Sequence, residues 1–280
     1  MAVVYAIWGF QPLYFSLDPG IDNAFLLAGR IIFAAVTCLL IVLFQGKGGE
    51  LKAVFQNREV LRKEIPATVF LFADWGLYLL GIRTGRVLEC SMGYYIMPIV
   101  MVVFGAVIFR EKIGWPHLGS LGLIAVGIAL SSRGFGRFPY LTVLLALSFA
   151  IYSAIKKSLT LDSLVSTTAE ILIMLPFALL FILLFRTGKN GLSGLTLTRQ
   201  LFLLGSGLVT GIPMVFFARG LSYLPLSLTG IMQYVSPTLG IVCSRILGES
   251  FTKEKLLSFS FIWAGVILYT VYELTVKKRN

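Results

Sequence analysis

Apolar stretches recur along the entire 280-residue chain, with no charged segment between them long enough to make a soluble domain. Cutting at charge and Gly/Pro clusters leaves ten: residues 1–16, 23–45, 66–82, 88–109, 116–131, 139–155, 163–185, 200–218, 224–247 and 256–274. Each reaches or approaches the roughly 20 residues that a helix needs to cross a bilayer. Inside lipid every backbone N–H and C=O must be satisfied within the protein, so runs of this length fold as helices. The chain is 57% hydrophobic and 13% charged, where soluble domains run near 45–50% and about 25%. The pattern predicts an all-α polytopic membrane protein of ten transmembrane helices. Its opening run, "MAVVYAIWGFQPLYF", lacks the basic head and cleavage site of a signal peptide and is expected to persist as a helix.

Lysine and arginine placement sets the orientation. The first loop, "SLDPGIDN", has none, whereas the second carries Lys47, Lys52, Arg58, Arg62 and Lys63. That contrast places the amino terminus in the cytoplasm, and ten spans return the carboxyl terminus to the same side of the cytoplasmic membrane. Residues 46–65 read as a charged cytoplasmic surface helix. The net charge of +11 is scattered singly over short loops, which suits anionic headgroups and not nucleic acid. Cys38, Cys90 and Cys243 lie apart in apolar runs and read as buried small hydrophobes. His117, the single histidine, reads as a solvated connector in a short loop, and one histidine makes no multi-histidine metal site. No cofactor is expected.

The fourth and ninth stretches repeat one pattern. "YYIMPIVMVVFGAVIFREK" aligns with "QYVSPTLGIVCSRILGES", pairing Tyr95 with Tyr234, Pro98 with Pro237 and Glu111, after a one-residue slip, with Glu249. The halves are therefore 1–135 and 136–280, five spans each. An odd number of spans turns the second copy upside down, and inverted repeats with interrupted helices at matching positions point to a transport site near the midplane. Proline removes a helix N–H and clashes with the preceding turn, so Pro98 and Pro237 are expected to break helices four and nine beside a central cavity.

Ionisable groups inside spans are costly unless they are paired or face water. Arg30 in helix two and Glu170 in helix seven occupy equivalent repeat positions and are expected to face the cavity as substrate-site residues, with Arg30 binding a substrate anion or pairing with a carboxylate across the central axis. Asp74 is a third candidate, and Asp74 or Glu170 is a candidate proton carrier. Arg245, near the end of helix nine, reads as a residue that snorkels to the interface. Trp75, Tyr78, Tyr94, Tyr95 and Tyr234 offer flat apolar walls with polar edges, and Gln233 a polar group for orienting a small-molecule substrate. Trp8 and Tyr14 recur near the same depth.

These phrases, together with "AIWGFQPLYF", "GRVLECSMGYYIMPIVMVVFGAVIFREK", "LSFAIYSAIKK" and "LPLSLTGIMQYVSPTLGIVCSRILGESF", resemble the RarD-type branch of the drug/metabolite transporter superfamily, EamA-domain permeases often labelled chloramphenicol-sensitivity proteins. The resemblance implies a ten-helix inverted-repeat fold and transport of a small metabolite, amino acid or drug. Branch members usually carry His-Arg in helix two and Asn-Trp in helix three, where this chain has Gly29-Arg30 and Asp74-Trp75. The alternative is an integral membrane enzyme acting on lipid-linked substrates, but the Asp-rich or His-Asp motif it would need is missing from the sequence. A phosphate-binding G-x-x-x-x-G-K-[ST] motif is likewise missing, which argues against direct ATP drive.

Overall fold

The computed structural model describes residues 1–15, 17, 21–83, 87–111, 113–132, 140–185, 195–246 and 253–277. Among them run twelve helices and no strand. These are α1 (Ala2–Phe15), α2 (Asn23–Phe44), α3 (Gly48–Gln56), α4 (Arg58–Arg83), α5 (Val87–Phe109), α6 (Trp115–Ser132), α7 (Tyr140–Lys157), α8 (Ser163–Phe185), α9 (Leu197–Tyr223), α10 (Leu226–Met232), α11 (Val235–Ile246) and α12 (Lys253–Lys277). By length and composition, the segments Ala24–Phe44, Tyr140–Lys157, Ser163–Leu184 and Leu197–Tyr223 suffice to cross a membrane. Shorter apolar helices cover Ala2–Phe15, Gly93–Phe109, Trp115–Leu130 and Ser260–Tyr269. The outer face of α8 exposes Phe177, Leu180, Leu183 and Leu184, side chains that suit lipid and not water. The molecule is a multi-pass membrane protein.

Helix starts recur: Ala2 and Tyr140, Asn23 and Ser163, Arg58 and Leu197, Val87 and Leu226, and Trp115 and Lys253 open α1/α7, α2/α8, α4/α9, α5/α10 and α6/α12, each pair about 139 residues apart. Packing follows the same exchange. α2 lies on α9 as α8 lies on α4, α1 on α11 as α7 on α5, and α4 on α7 as α9 on α1. The pairs α2/α8, α5/α10 and α6/α12 map onto themselves. Even the caps match. Asp22 accepts from the N–H groups of Ala24 and Phe25 at the start of α2, and Asp162 accepts from Leu164 and Val165 at the start of α8.

Small residues let these pairs close. Gly207 and Gly211 of α9 lie one turn apart against α2, where a methyl group on Gly207 would come within 2.5 Å of Phe33 and one on Gly211 within 3.0 Å of Cys38. Glycines at this spacing bring backbones together where lipid removes the hydrophobic drive for association. Ser120 of α6 donates to the Gly265 carbonyl of α12 at 2.6 Å.

Three expectations change. The segment 46–65 is two elements: α3, which buries Leu51 and Val54 on one face, and the first turns of α4, capped by Asn57 accepting from Glu59 and Val60. The third span thus starts at residue 58, and Glu64, counted with the surface, is fully buried. His117 is not a solvated connector: it is buried in the first turn of α6, where its Nδ1 accepts from Gly114 N–H at 2.8 Å and its ring meets Tyr269 and Tyr272 edge-on. The imidazole fills a helix-start role that a loop reading misses.

The two prolines also behave differently from each other. α5 runs unbroken from Val87 to Phe109 with Pro98 inside it, so Pro98 does not interrupt its helix. A single missing N–H is tolerated in a span packed among neighbours, and here α10 crosses so closely that a methyl group on Gly230 would meet the Pro98 carbonyl at 2.9 Å. The ninth span does break, at Gln233–Tyr234, one turn before Pro237. Proline at 237 cannot bond the Gln233 carbonyl, which takes Ser236 N–H instead. Upstream, Gln233 and Tyr234 N–H tighten onto Gly230 and Ile231. This frees the Thr229 carbonyl, and the Tyr5 hydroxyl of α1 donates to it at 2.9 Å.

Candidate functional site

Five of the sequence-selected residues come together. Arg30 of α2 points between the ring faces of Phe15 and Trp75, with its guanidinium carbon 4.8 and 5.4 Å from their centroids. Its Nε donates to the Thr210 hydroxyl of α9 at 3.0 Å. Tyr78 and Tyr94 complete the wall, edge to face at 5.5 Å. Asp74, one turn before Tyr78 on α4, is buried and accepts from the Ser148 hydroxyl of α7 at 3.4 Å. Arg30, Trp75, Tyr78 and Tyr94 are half-buried.

Helical spacing explains this convergence. Asp74, Trp75 and Tyr78 sit on one side of α4 (spacings of one, three and four), and Tyr94 comes from the adjacent α5. A guanidinium sandwiched between aromatic faces keeps its charge stabilised without a carboxylate. Among the described residues Arg30 has no ion-pair partner. Such a cation can take an anionic group, and the surrounding rings can take an apolar body.

Tyr95, Gln233 and Tyr234 form a second group, at the α10–α11 break. The Tyr234 hydroxyl donates to the Tyr95 carbonyl at 2.8 Å and their rings stack at 6.3 Å, so the two repeat-equivalent tyrosines meet each other. Gln233 is buried, with Nε2 on the Met97 sulfur at 2.7 Å and Oε1 unpartnered. Glu249 and the side chain of Arg245 lie outside the described residues.

Glu170 does not pair with Arg30, as the repeat arithmetic suggests. It is fully buried against Lys156, 2.8 Å away, and Tyr152 donates to its second oxygen at 3.3 Å. Repeat equivalence places two helices side by side, but side-chain reach chooses the partner, and α7 brings Lys156 closer. Lys156 also donates to Ser166 at 2.7 Å, and Ser166 to Glu64. Sequence reading missed Lys156 and Glu64 because both fall just outside the apolar stretches. The usable signal was the i, i+4 spacing of Ser166 and Glu170, and of Tyr152 and Lys156.

An aromatic cluster adjoins this ionic group. Tyr152 stacks on Phe217 at 6.3 Å, and Trp8 meets Phe217 at 5.4 Å and Phe149 at 6.2 Å. Tyr14 donates to the Phe202 carbonyl and stacks on that ring at 4.9 Å, fixing α1 to α9.

Residues 1–133 and 138–271 each match the description "EamA-like transporter family". The chain is 33% identical to "Uncharacterized transporter YojE" of Bacillus subtilis over 284 aligned residues, covering 100% of this chain and 95% of that protein. It is 30% identical to "Protein RarD" of Streptomyces exfoliatus, covering 99% and 88%. A solved crystal structure shares the fold with a TM-score of 0.75 at 17% identity, covering 96% of this chain and 95% of that one. Two matched copies spanning nearly the whole chain, on an all-helical membrane fold with near full-length relatives, establish that it belongs to the EamA-like transporter family.

Proposed function

We propose that this chain is a secondary carrier that moves a small metabolite, amino acid or drug bearing an anionic group across the cytoplasmic membrane. In this reading it has ten spans in two inverted repeats, 1–135 and 136–280, and both termini are cytoplasmic. The repeats rock about a central site formed by Arg30, Asp74, Trp75, Tyr78 and Tyr94. Tyr95, Gln233 and Tyr234 at the broken ninth span belong to the moving seam beside it. No chemical step is assigned to the protein.

The observation that carries this reading is Arg30, a half-buried central cation held by a hydroxyl and two aromatic faces with no carboxylate bound among the described residues. An isolated interior charge is expensive, and a substrate anion would compensate it during the cycle. The contact symmetry of the two helix sets supports rocking about a shared axis.

The test is flux through proteoliposomes with a panel of organic anions, amino acids and neutral drugs, with and without an imposed pH gradient. Carrier activity should favour solutes with a carboxylate or phosphate next to an apolar body. Arg30→Ala should cut exchange at least tenfold, which corresponds to about 1.4 kcal/mol or more of lost binding. Arg30→Lys should retain part of it. Undiminished exchange in Arg30→Ala would remove Arg30 from the site.

A further inference from the structure

Below the α7–α8 turn, three charged side chains are packed together out of reach of solvent. Glu64 of α4 and Glu170 of α8 are 0% exposed, and Lys156 of α7 is 5% exposed. One hydroxyl joins them: Ser166 accepts from Lys156 at 2.7 Å and donates to Glu64 Oε1. Two carboxylates and one ammonium do not balance. Fully ionised, the cluster holds one uncompensated negative charge, a state that costs several kcal/mol in such surroundings.

The hydrogen bonds show which carboxylate is compensated. Glu170 is satisfied at both oxygens, by Lys156 at 2.8 Å and by Tyr152 at 3.3 Å. Glu64 receives one donor at Oε1, and its Oε2 is buried with no partner. Thr68, one turn further along α4, also carries a buried hydroxyl with no partner. We infer that Glu64, Lys156, Ser166 and Glu170 form a proton-binding site separate from the Arg30 group, in which the two carboxylates share one proton beside the Lys156 ammonium. Loading takes a proton from water onto the carboxylate pair and brings the cluster from −1 to neutral. Release restores the −1 state.

The second copy does not repeat the Glu64 charge. The α4/α9 register, Arg58 opposite Leu197, places buried Leu203 in the second copy where Glu64 stands in the first. The titratable and charged groups facing the site are Glu64 from α4, Tyr152 and Lys156 from α7 and Glu170 from α8. Among the described residues no charged side chain of α2, α3 or α9 bonds to them. Arg30 is held by Thr210, and Lys47, just before α3, bonds Asp162 at 2.6 Å at the surface.

A role for this proton in transport rests on the carrier reading, but its presence does not. Infrared difference spectra of the purified full-length protein, titrated with acid and base, should show a buried carboxylic acid C=O band at neutral pH distinct from any that Asp74→Asn removes. Glu64→Gln should abolish it. Glu170→Gln should abolish it too, because in either variant the one remaining carboxylate is the sole counter-ion of Lys156. Asp74→Asn should keep it. A band that survives in Glu64→Gln, or one absent from the wild type, overturns the proposal. Should Glu64→Gln fail to fold, Glu170→Gln decides by the same criterion, since its band must also vanish. Solute exchange in the same preparations is read separately. Exchange without the band keeps the carrier and rejects the proton site, whereas the band without exchange does the reverse.

Discussion

Lys156 and Glu170 show what a single interior charge demands. Removing one member of a buried, hydrogen-bonded pair leaves the other desolvated and uncompensated, at a cost of about 3–5 kcal/mol. Lys156→Met should therefore lower the thermal midpoint in detergent sharply, and Lys156→Met/Glu170→Gln should recover most of the loss, because both partners are then neutral. A double variant as unstable as the single one would mean that the ammonium serves packing alone. The swap Arg30→Glu/Glu170→Arg should not rescue folding, since Glu170 is bound to Lys156 and Arg30 to Thr210. An intact, active swap would show that the two positions do meet. Tyr5 is a milder case. Its hydroxyl occupies the Thr229 carbonyl released at the α10–α11 break, so Tyr5→Phe should cost about 1–3 kcal/mol, the penalty for an orphaned buried acceptor.

Helices join through a few specific contacts. Glu111, just past α5, accepts from Leu226 N–H at 2.6 Å, Ser227 N–H at 3.0 Å and the Ser227 hydroxyl at 2.6 Å, so one carboxylate holds the start of α10. Glu111→Ala should destabilise the ninth span by about 1–3 kcal/mol, read as faster amide exchange confined to α10 and α11. In the α2/α9 seam, Gly207→Leu forces the helices apart and should cost about 1–3 kcal/mol or more. Gly122→Ala is a neutral control, because a methyl group there meets nothing within 4 Å. Asp162 adds a pH dependence outside the spans. Burial pushes its carboxyl up, but hydrogen bonds from Lys47, Val165 and Leu164 outweigh this and hold it below the ordinary value. Its contribution is thus present at neutral pH and is lost as pH falls through the carboxylate range. Asp162→Asn should flatten that acid limb of the stability curve. Most elements were legible because length and apolarity force helices in lipid, and the Tyr-x-x-Pro phrase exposed the repeat. The Arg30 group was legible from intramembrane charge and the spacing of Asp74, Trp75 and Tyr78. The unbroken α5 was not, because what Pro98 does depends on the backbone of Gly230 that packs on it. Lys156 and Glu64 were hidden for a related reason: burial at a span's end depends on neighbouring helices, and hydropathy along one helix does not record it.

At the scale of the molecule, inversion is the property on which rocking depends, and it makes a prediction that local packing does not. In the proposed ten-span arrangement, five spans per half require α1 and α7, equivalent helices, to start on opposite sides of the membrane. Ala2 should face the cytoplasm and Tyr140 the exterior, with the far ends reversed. The three native cysteines are all buried, so single introduced cysteines report side with little background. Leu17 and Tyr140 are exposed, as are Ala2 and Ser158. Leu17→Cys and Tyr140→Cys should react with a membrane-impermeant thiol reagent in intact cells. Ala2→Cys and Ser158→Cys should react only after the membrane is opened. Reaction of Ala2→Cys and Tyr140→Cys from the same side would make the repeats parallel, and a parallel pair cannot exchange inward and outward conformations by swapping the roles of its halves. That outcome would leave the family membership intact while removing the rocking mechanism, because the symmetry seen in the helix contacts would then relate halves facing the same way.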